Sequence, residues 1–210
     1  MPNGTDNGLH KGHDKNGNAY GYGKNKTEFP CFAVGTAVLT PTGQIPIENL
    51  TIGDLVQTMD HGAKPVRWIG KSIVDATGRL APVIIPKGAI DNERDLIVSP
   101  QHRILVSTTS ATLYLGEPQV LVPAISMVGW MGIHQKPMAE ITYVHVMFDQ
   151  HEVIFTEGAA TESLLIGPQS RLDLPTEALD EIFEIFPDLI EKAHIPARPC
   201  VPNRLARALL

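Results

Sequence analysis

The residue best suited to covalent chemistry is Cys31, which lies in the stretch "TEFPCFAVGTAVLT" between a polar segment and a strand-like one. A cysteine thiolate is a strong nucleophile at neutral pH. The Cys31 sulfur can reach the carbonyl carbon of Pro30 through a five-membered ring, and its attack would convert the amide into a thioester. That step needs an acid for the departing nitrogen and stabilisation of the oxyanion. Histidine, with an ordinary pKa of about 6.5, is the natural acid.

The elements that must position such a site fall into three parts of the chain. Residues 1–28 are rich in Gly, Asn, Lys and His with almost no aliphatic side chains, which predicts a flexible polar leader. Residues 29–167 contain short apolar runs separated by Gly, Pro and Asp, which is typical of strands and turns. Residues 168–210 contain a helical pattern and then a tail rich in Pro and Arg, for which we expect loose packing apart from a last helical turn.

The central part predicts a mainly β fold. "TAVLT" and "IPIENL" predict one hairpin, and "DLVQTMD" with "KPVRWIGKSIV" predicts a second pair around Gly62. "ITYVHVMFDQHEVIFTEG" has the clearest hairpin pattern, with Asp149 and Gln150 at the turn. Pro100 in "DLIVSPQHRILV" must interrupt any strand because it lacks a backbone donor. "LVPAISMVG" indicates a short helix.

A second helix is predicted in the C-terminal part. It begins near Thr176, which has an acidic residue soon after it, and Pro187 should end it. Its apolar residues recur at helical spacing and should pack against the β domain: Leu179, Ile182, Phe183 and Phe186.

Three segments carry a resemblance to a known family. "CFAVGTAVLTPTGQIPIENLTIGDLV" resembles the opening of the Hedgehog/intein, or Hint, domain. "LIVSPQHRILV" resembles the block in which a Thr, two variable residues and a His lie between apolar runs, with Ser99 in the Thr place and His102 as the His. "FDQHEVIFTEGAATES" is similar to the late histidine block of the bacterial Hint group. The order and spacing of the three segments, which span residues 31–166, agree with the family.

The resemblance implies a horseshoe of antiparallel strands that cleaves its own chain in a single turnover. The expected cleavage site is the bond between Pro30 and Cys31, and the N-terminal leader is the substrate. Cys31 would be the nucleophile, His102 the acid for the departing nitrogen, and Ser99 the hydroxyl that positions the scissile group. His151 would serve the second step, in which water or an external nucleophile resolves the thioester. No metal or other cofactor is expected.

The sequence departs from a splicing intein at the end of the third block. A splicing intein has an Asn there whose side chain cyclises, whereas this chain has Glu162 followed by Ser163. Glutamate does not cyclise as asparagine does. Cleavage at the N-terminal side, without splicing, is therefore the expected reaction. The ring of Pro30 restricts the geometry at the carbonyl under attack and favours a slow reaction.

Simpler interpretations exist for each candidate residue. Cys31 could be a small buried hydrophobic residue, and Ser99 could cap the turn at Pro100. His102 could be an ordinary turn histidine, and His151 an exposed residue beside a turn.

Three alternatives remain for the protein as a whole. The first is a Hint fold without activity that serves as a binding or adaptor module. The second is a disulfide between Cys31 and Cys200. The third, a metal site, is disfavoured because His10 and His13 lie in the leader and His145 merely flanks a turn with His151.

Charge and hydropathy exclude some partners. The formal net charge is -6, so neither nucleic acid nor an anionic membrane is an expected partner. No apolar run approaches the roughly 18 residues needed to span a bilayer, and the opening "MPNGTDNGLH" lacks the features of a signal peptide. We expect a soluble protein. The sequence does not determine its localisation, and export through another kind of signal remains an alternative.

Overall fold

The computed structural model describes residues 19–20, 30–167, 174–191 and 194–210. The predicted leader, apart from residues 19–20, lies outside the described residues, and so do residues 168–173 and 192–193. The described chain is mainly β, with two sheets of largely antiparallel strands and a helix near the C terminus. This confirms the predicted fold class.

The described residues form fifteen strands and three α-helices. The strands are β1 Ala19–Tyr20, β2 Phe32–Ala33, β3 Ala37–Thr40, β4 Gly43–Pro46, β5 Leu55–Thr58, β6 Gly62–Pro65, β7 Trp68–Asp75, β8 Val83–Ile85, β9 Leu96–Val98, β10 Arg103–Ser107, β11 Gln119–Pro123, β12 His134–Gln135, β13 Glu140–Met147, β14 Val153–Thr156 and β15 Ala159–Glu162. The helices are α1 Thr109–Leu115, α2 Thr176–Ile185 and α3 Asn203–Ala206.

The strands belong to two sheets. The first has the order β1-β7-β13-β2-β9-β8-β12, and the second has the order β11-β10-β15-β14-β3-β4, with β5 and β6 attached through β14. The longest pairing joins β7 to β13 over eight residues, from Asp75 opposite Glu140 to Trp68 opposite Met147. Among the described strands, the pairs are antiparallel except for β1 with β7.

The short hairpins form much as the sequence predicts. β3 pairs with β4, and β5 pairs with β6, where Thr58 lies opposite Gly62. Gly62 has a φ of 67°, a conformation that costs glycine little. The segment "DLVQTMD" pairs with Gly62–Pro65 and, through Thr58, with Ile154 of β14, whereas most of its predicted partner lies in β7, which joins the other sheet. "LVPAISMVG" is not an α-helix: it continues β11 into a 3-10 turn at Ala124–Met127.

The prediction of a hairpin at Asp149 and Gln150 was wrong. β13 lies in the first sheet, where it pairs with β7 and β2, whereas β14 lies in the second sheet beside β15. The chain therefore crosses between the sheets at residues 148–152. It crosses again between β9 and β10 at residues 99–102, where Pro100 interrupts the strand as predicted. These two crossings lie beside the start of β2 and form the candidate site.

Helix α2 packs against the β domain as predicted. Ile182 is fully buried in an apolar cluster that also contains Cys31, and Leu179, Phe183 and Phe186 pack against the same cluster. The helix begins at Thr176, whose side chain does not cap it because Pro175 occupies the cap position. It ends before Pro187, which starts a 3-10 turn at Pro187–Ile190.

The C-terminal tail is packed against the domain, contrary to the loose packing predicted from its composition. Val201, Ala206 and Leu209 are buried in the larger apolar core. The Leu121 N–H donates to the Pro199 carbonyl oxygen at 2.9 Å, and the Val201 N–H donates to the Leu121 oxygen at 2.9 Å. The expected helical turn forms as α3, and composition missed the rest because the tail gains its order from contacts with β11 and the core.

Two further features concern a strand of the predicted leader and the character of the helices. From the predicted leader, Ala19 and Tyr20 pair in parallel with Gly70 and Lys71 of β7. In the described ranges, no helix combines the length and apolar character needed to cross a membrane.

Candidate functional site

The bond between Pro30 and Cys31 lies buried at the entry to β2. Phe32, the next residue, is held between β13 and β9 by pairing with Val144 and Val98. The Cys31 N–H donates to Ser99 Oγ at 3.1 Å, and the Ser99 N–H donates back to the Cys31 carbonyl oxygen at 3.0 Å. Ser99 thus fixes the nitrogen that would leave if this bond were cleaved.

His145 is the residue that sequence reasoning missed. Its Nδ1 lies 3.0 Å from the carbonyl oxygen of Pro30, and its Nε2 lies 3.7 Å from Cys31 Sγ and 3.3 Å from Ser72 Oγ. A carbonyl oxygen can only accept, so the shared proton belongs to Nδ1. Burial lowers the pKa of His145 to about 4, although the hydrogen bond to Pro30 opposes this shift. The ring is therefore neutral at pH 7, with the Nε2 lone pair on the side of the thiol.

The sequence feature that indicates a role for His145 is its position inside an apolar strand. In "TYVHVMF" it is the single histidine among aliphatic and aromatic neighbours, and it is buried. A buried polar side chain requires a partner. Its position near Asp149 and Gln150 favours a residue beside a turn, whereas its partner, the Pro30 carbonyl, lies 115 residues away in the chain.

His102 contacts Phe32, which follows Cys31 in the chain, and Ser99, which accepts the Cys31 N–H. It is fully buried, and its ring packs edge-on against Phe32 with centroids 4.3 Å apart. The backbone N–H of His102 donates to the backbone carbonyl oxygen of Ser99 at 3.1 Å. Neither ring nitrogen has a hydrogen-bond partner among the described residues. Burial lowers the pKa of His102 to about 4, with Glu162 opposing the shift. The ring is therefore neutral at pH 7 and offers one N–H.

The Cys31 thiol is also neutral. Burial raises its pKa well above the usual value, although the hydrogen bond with Ser99 opposes the shift. A thiolate is therefore scarce at pH 7, and attack on Pro30 requires that the thiol lose its proton as the new bond forms. Nε2 of His145, 3.7 Å from the sulfur, is a basic atom in position to take this proton.

His151 belongs to a neighbouring buried cluster and is not exposed. Its Nε2 lies 3.4 Å from Glu162 Oε2, and Glu162 also accepts the Arg103 backbone N–H at 2.8 Å and faces its guanidinium at 3.2 Å. Burial alone would raise the pKa of Glu162, but the contact with His151 and the charge of Arg103 outweigh it and hold that pKa below its usual value. His151 Nδ1 accepts the backbone N–H of Ala197 at 3.0 Å.

The other chemical alternatives can be compared with this geometry. No group of three or more His, Cys, Asp or Glu side chains within the described ranges is arranged to hold a metal ion. Cys31 and Cys200, which are both described, are not joined by a disulfide.

The two neutral histidines predict a loss of stability in weak acid. The pKa of His102 and of His145 is about 4 in the folded protein, against 6.5 as the ordinary value. Between these values the unfolded chain binds more protons, so the free energy of unfolding is largest above pH 6.5 and falls as the pH drops toward 4. We expect a loss of roughly 2 kcal/mol per histidine between pH 6.5 and 5.

Chemical denaturation at pH 7 and pH 5 measures this loss. Glu162 contributes in a different window, because a glutamate with a lowered pKa loses its contribution only below about 4.5. His102→Gln should therefore reduce the pH dependence, whereas His134→Gln, at an exposed position, should retain it. An equal pH dependence in the wild type and His102→Gln would contradict the assignment.

One family model and several solved structures match the chain. A family model described as the Hint domain matches residues 30–168. Solved structures that match include a substituted gp41-1 intein (20% identity, 63% of this chain and 98% of that chain, TM-score 0.41) and an intein-like domain from Clostridium thermocellum (17%, 63% and 97%, 0.36). A DnaB intein from Synechocystis also matches (12%, 64% and 98%, 0.40). No curated protein matches the chain. Since the family model covers well over half of its length, the chain belongs to the Hint domain family.

Proposed function

We propose that the protein is a self-processing Hint domain that cleaves the bond between Pro30 and Cys31 without splicing. The observation that carries this proposal is the position of His145, whose Nδ1–H is 3.0 Å from the Pro30 oxygen while its Nε2 is 3.7 Å from Cys31 Sγ. One neutral ring therefore polarises the carbonyl and offers a base to the thiol. The N-terminal segment that ends at Pro30 is the substrate in this reaction.

The first step is an acyl shift from nitrogen to sulfur. Cys31 Sγ attacks the carbonyl carbon of Pro30, its proton passes to His145 Nε2, and the oxyanion is held by the Nδ1–H. The C–N bond then breaks as the Cys31 nitrogen takes a proton from the N–H of His102, and the proton that His145 took from the thiol passes to His102, so that both rings end neutral. Ser99, which accepts the Cys31 N–H, keeps the leaving nitrogen in place. The step is an isomerisation: the thiol loses one proton and the amine gains one.

The second step releases the N-terminal segment. Water or an external nucleophile attacks the thioester carbon, the C–S bond breaks, and the Cys31 thiol is restored. We assign His151 to this step because it lies where the chain crosses between the sheets at residues 148–152. Its partner Glu162 also acts electrostatically on both Cys31 and His102. The reaction is a single turnover on the protein's own chain.

A second function, an inactive Hint module that binds a partner, has one specific observation in its favour. The thiol, both histidines and the scissile bond are buried, and the shifted pKa values leave the thiol and the two rings uncharged at pH 7. A buried site of uncharged groups is stable in the folded protein without ionisation of the thiol, and it is compatible with a chain that persists uncleaved.

Dithiothreitol separates the two functions. We expect excess dithiothreitol to release the N-terminal segment slowly and leave a fragment that begins at Cys31, as measured by intact mass over a day. Pro30→Gly should accelerate release, because removal of the ring relaxes the backbone at the attacked carbonyl. Circular dichroism spectra confirm that both proteins are folded. If folded Pro30→Gly is cleaved more slowly than the wild type, the ring does not limit the shift.

A further inference from the structure

We propose that the C-terminal tail controls a Glu162–His151 general base, because the Ala197 backbone amide occupies the ring nitrogen that would activate water. This inference rests on the proposed function and concerns its second step. In the described conformation the nitrogen is covered and hydrolysis of the thioester is suppressed. Displacement of the tail uncovers it.

The protonation of His151 follows from its two contacts. The Ala197 N–H can only donate, so Nδ1 of His151 must be the acceptor and carry a lone pair. In the neutral ring the proton then resides on Nε2, which faces Glu162 Oε2 at 3.4 Å. His151 is therefore oriented by a carboxylate on one side, and its basic atom is Nδ1 on the other.

The carboxylate is well prepared for this positioning role. Glu162 is fully buried and accepts the backbone N–H of Arg103 at 2.8 Å, with the Arg103 guanidinium at 3.2 Å. These contacts keep the carboxyl ionised and its oxygens fixed. A fixed carboxylate beside Nε2 favours the tautomer in which Nε2 carries the proton and Nδ1 carries the lone pair.

The tail is held over His151 by attachments on both sides of Ala197. Arg198 makes a two-pronged ion pair with Asp60, at 3.0 and 2.7 Å, and donates to Gln119 at 2.9 Å. On the other side, the His194 N–H donates to the Ile166 oxygen at 3.0 Å. The side chain of His151 has no solvent exposure under this cover.

The covering segment is also one wall of a cavity of about 790 Å³. The cavity is lined by the segment His194–Arg198 and also by His61, Gln150 and His151. Arg198 and Asp60 are about one quarter exposed, so the ion pair is accessible to solvent. Movement of this short segment would open the cavity onto Nδ1 while the residues after it remain paired with Leu121.

With the tail displaced, the chemistry is base-assisted hydrolysis. Nδ1 of His151 takes a proton from water, and the oxygen attacks the thioester carbon of Pro30. The C–S bond breaks, and the sulfur recovers a proton from the ring. The products are a segment with a free carboxyl at Pro30 and a chain that begins at Cys31 with its thiol restored.

The test weakens the tail attachment without removing the tail, because Val201, Ala206 and Leu209 belong to the core. Arg198→Ala deletes the ion pair with Asp60, and Arg207→Ala makes the same change at an exposed position of the same tail. We expect Arg198→Ala to raise the rate of thiol-independent hydrolysis by about fivefold, as the covered state loses one ion pair. Arg207→Ala should match the wild type.

A second substitution tests whether the increase passes through the base. His151→Gln in the Arg198→Ala background should return hydrolysis to the wild-type rate. Arg198→Ala alone, which leaves Cys31, His102, His145 and His151 in place, should release the segment in dithiothreitol within about twofold of the wild-type rate. A rate increase that survives His151→Gln, or no increase in Arg198→Ala, overturns the proposal.

A chemical probe keeps this test independent of cleavage. Diethyl pyrocarbonate modifies accessible neutral histidine rings, and peptide mass spectrometry reports modification at His151. We expect faster modification in Arg198→Ala than in Arg207→Ala. If dithiothreitol releases nothing from any variant, the proposed function fails, and the modification rates alone decide the inference. Equal modification rates in the two variants would overturn it.

Discussion

Cys31→Ala is expected to remain uncleaved in dithiothreitol under conditions in which the wild type releases its N-terminal segment. Alanine has no nucleophile that can reach the Pro30 carbonyl, so the acyl shift is lost completely and not merely slowed. The position is already buried and apolar, in the cluster with Trp68 and Tyr143, and alanine fits it with little change. Intact mass after a day in thiol is the measurement.

Cys200→Ala is the matched control for this prediction. Cys200 is the other cysteine of the chain, half-buried in the tail, with its sulfur 3.8 Å from the Arg198 oxygen. It has no role in the proposed first step, so Cys200→Ala should release the segment at the wild-type rate. Loss of release in Cys200→Ala with retention in Cys31→Ala would show that the wrong sulfur has been assigned.

His145→Ala is expected to slow thiol-induced release by about 10² to 10³, the scale of a lost oxyanion donor. The substitution removes both the Nδ1–H on the Pro30 oxygen and the base beside Cys31 Sγ. His102→Ala should slow the same reaction by about 10² to 10⁴ through loss of the proton donor. Single-exponential rates from mass time courses give both numbers.

A conservative substitution separates the two roles of His145. The side-chain amide of His145→Gln can donate to the Pro30 oxygen but cannot take the thiol proton, so its rate should lie between those of the wild type and His145→Ala. His134→Ala, at an exposed position in β12, serves as the histidine control and should match the wild type. If His145→Ala is cleaved at the wild-type rate, the ring has no part in the reaction.

Burial of the site determines the protonation states of its reactive groups. The Cys31 thiol and the two flanking rings of His102 and His145 are buried and uncharged at pH 7. Each would be more reactive in solvent, but burial also strengthens the hydrogen bond that would stabilise an oxyanion at Pro30. The same burial that slows ionisation of the thiol therefore favours the tetrahedral intermediate once the proton has moved.

Local sequence features predicted much of the fold, because they act over a few residues. Apolar runs and turn residues located the hairpins β3–β4 and β5–β6, and Pro187 marked the end of α2. The hairpin at Asp149 failed because alternation specifies a strand but not its partner. β13 finds its partner in β7, more than 60 residues earlier in the chain.

The candidate site could be predicted only in part for the same reason. Cys31, Ser99 and His102 carried a motif, and Ser99 does contact the Cys31 nitrogen. His145 carried none, and its role emerges only when β2 is placed beside β13. The cover over His151 was hidden as well, since the tail that contributes Ala197 has the composition of a loose segment.

The central claim is that Cys31 and Pro30 exchange an amide for a thioester, and hydroxylamine tests it most directly. Hydroxylamine attacks thioesters and leaves ordinary amides intact, so the freshly purified wild type should yield two products over a day at neutral pH. One is the N-terminal segment with a hydroxamate at Pro30, and the other begins at Cys31 with a free thiol. If folded wild type and folded Pro30→Gly both keep their full mass for days in excess hydroxylamine, no thioester forms, and the inactive binding module takes the place of the self-processing domain.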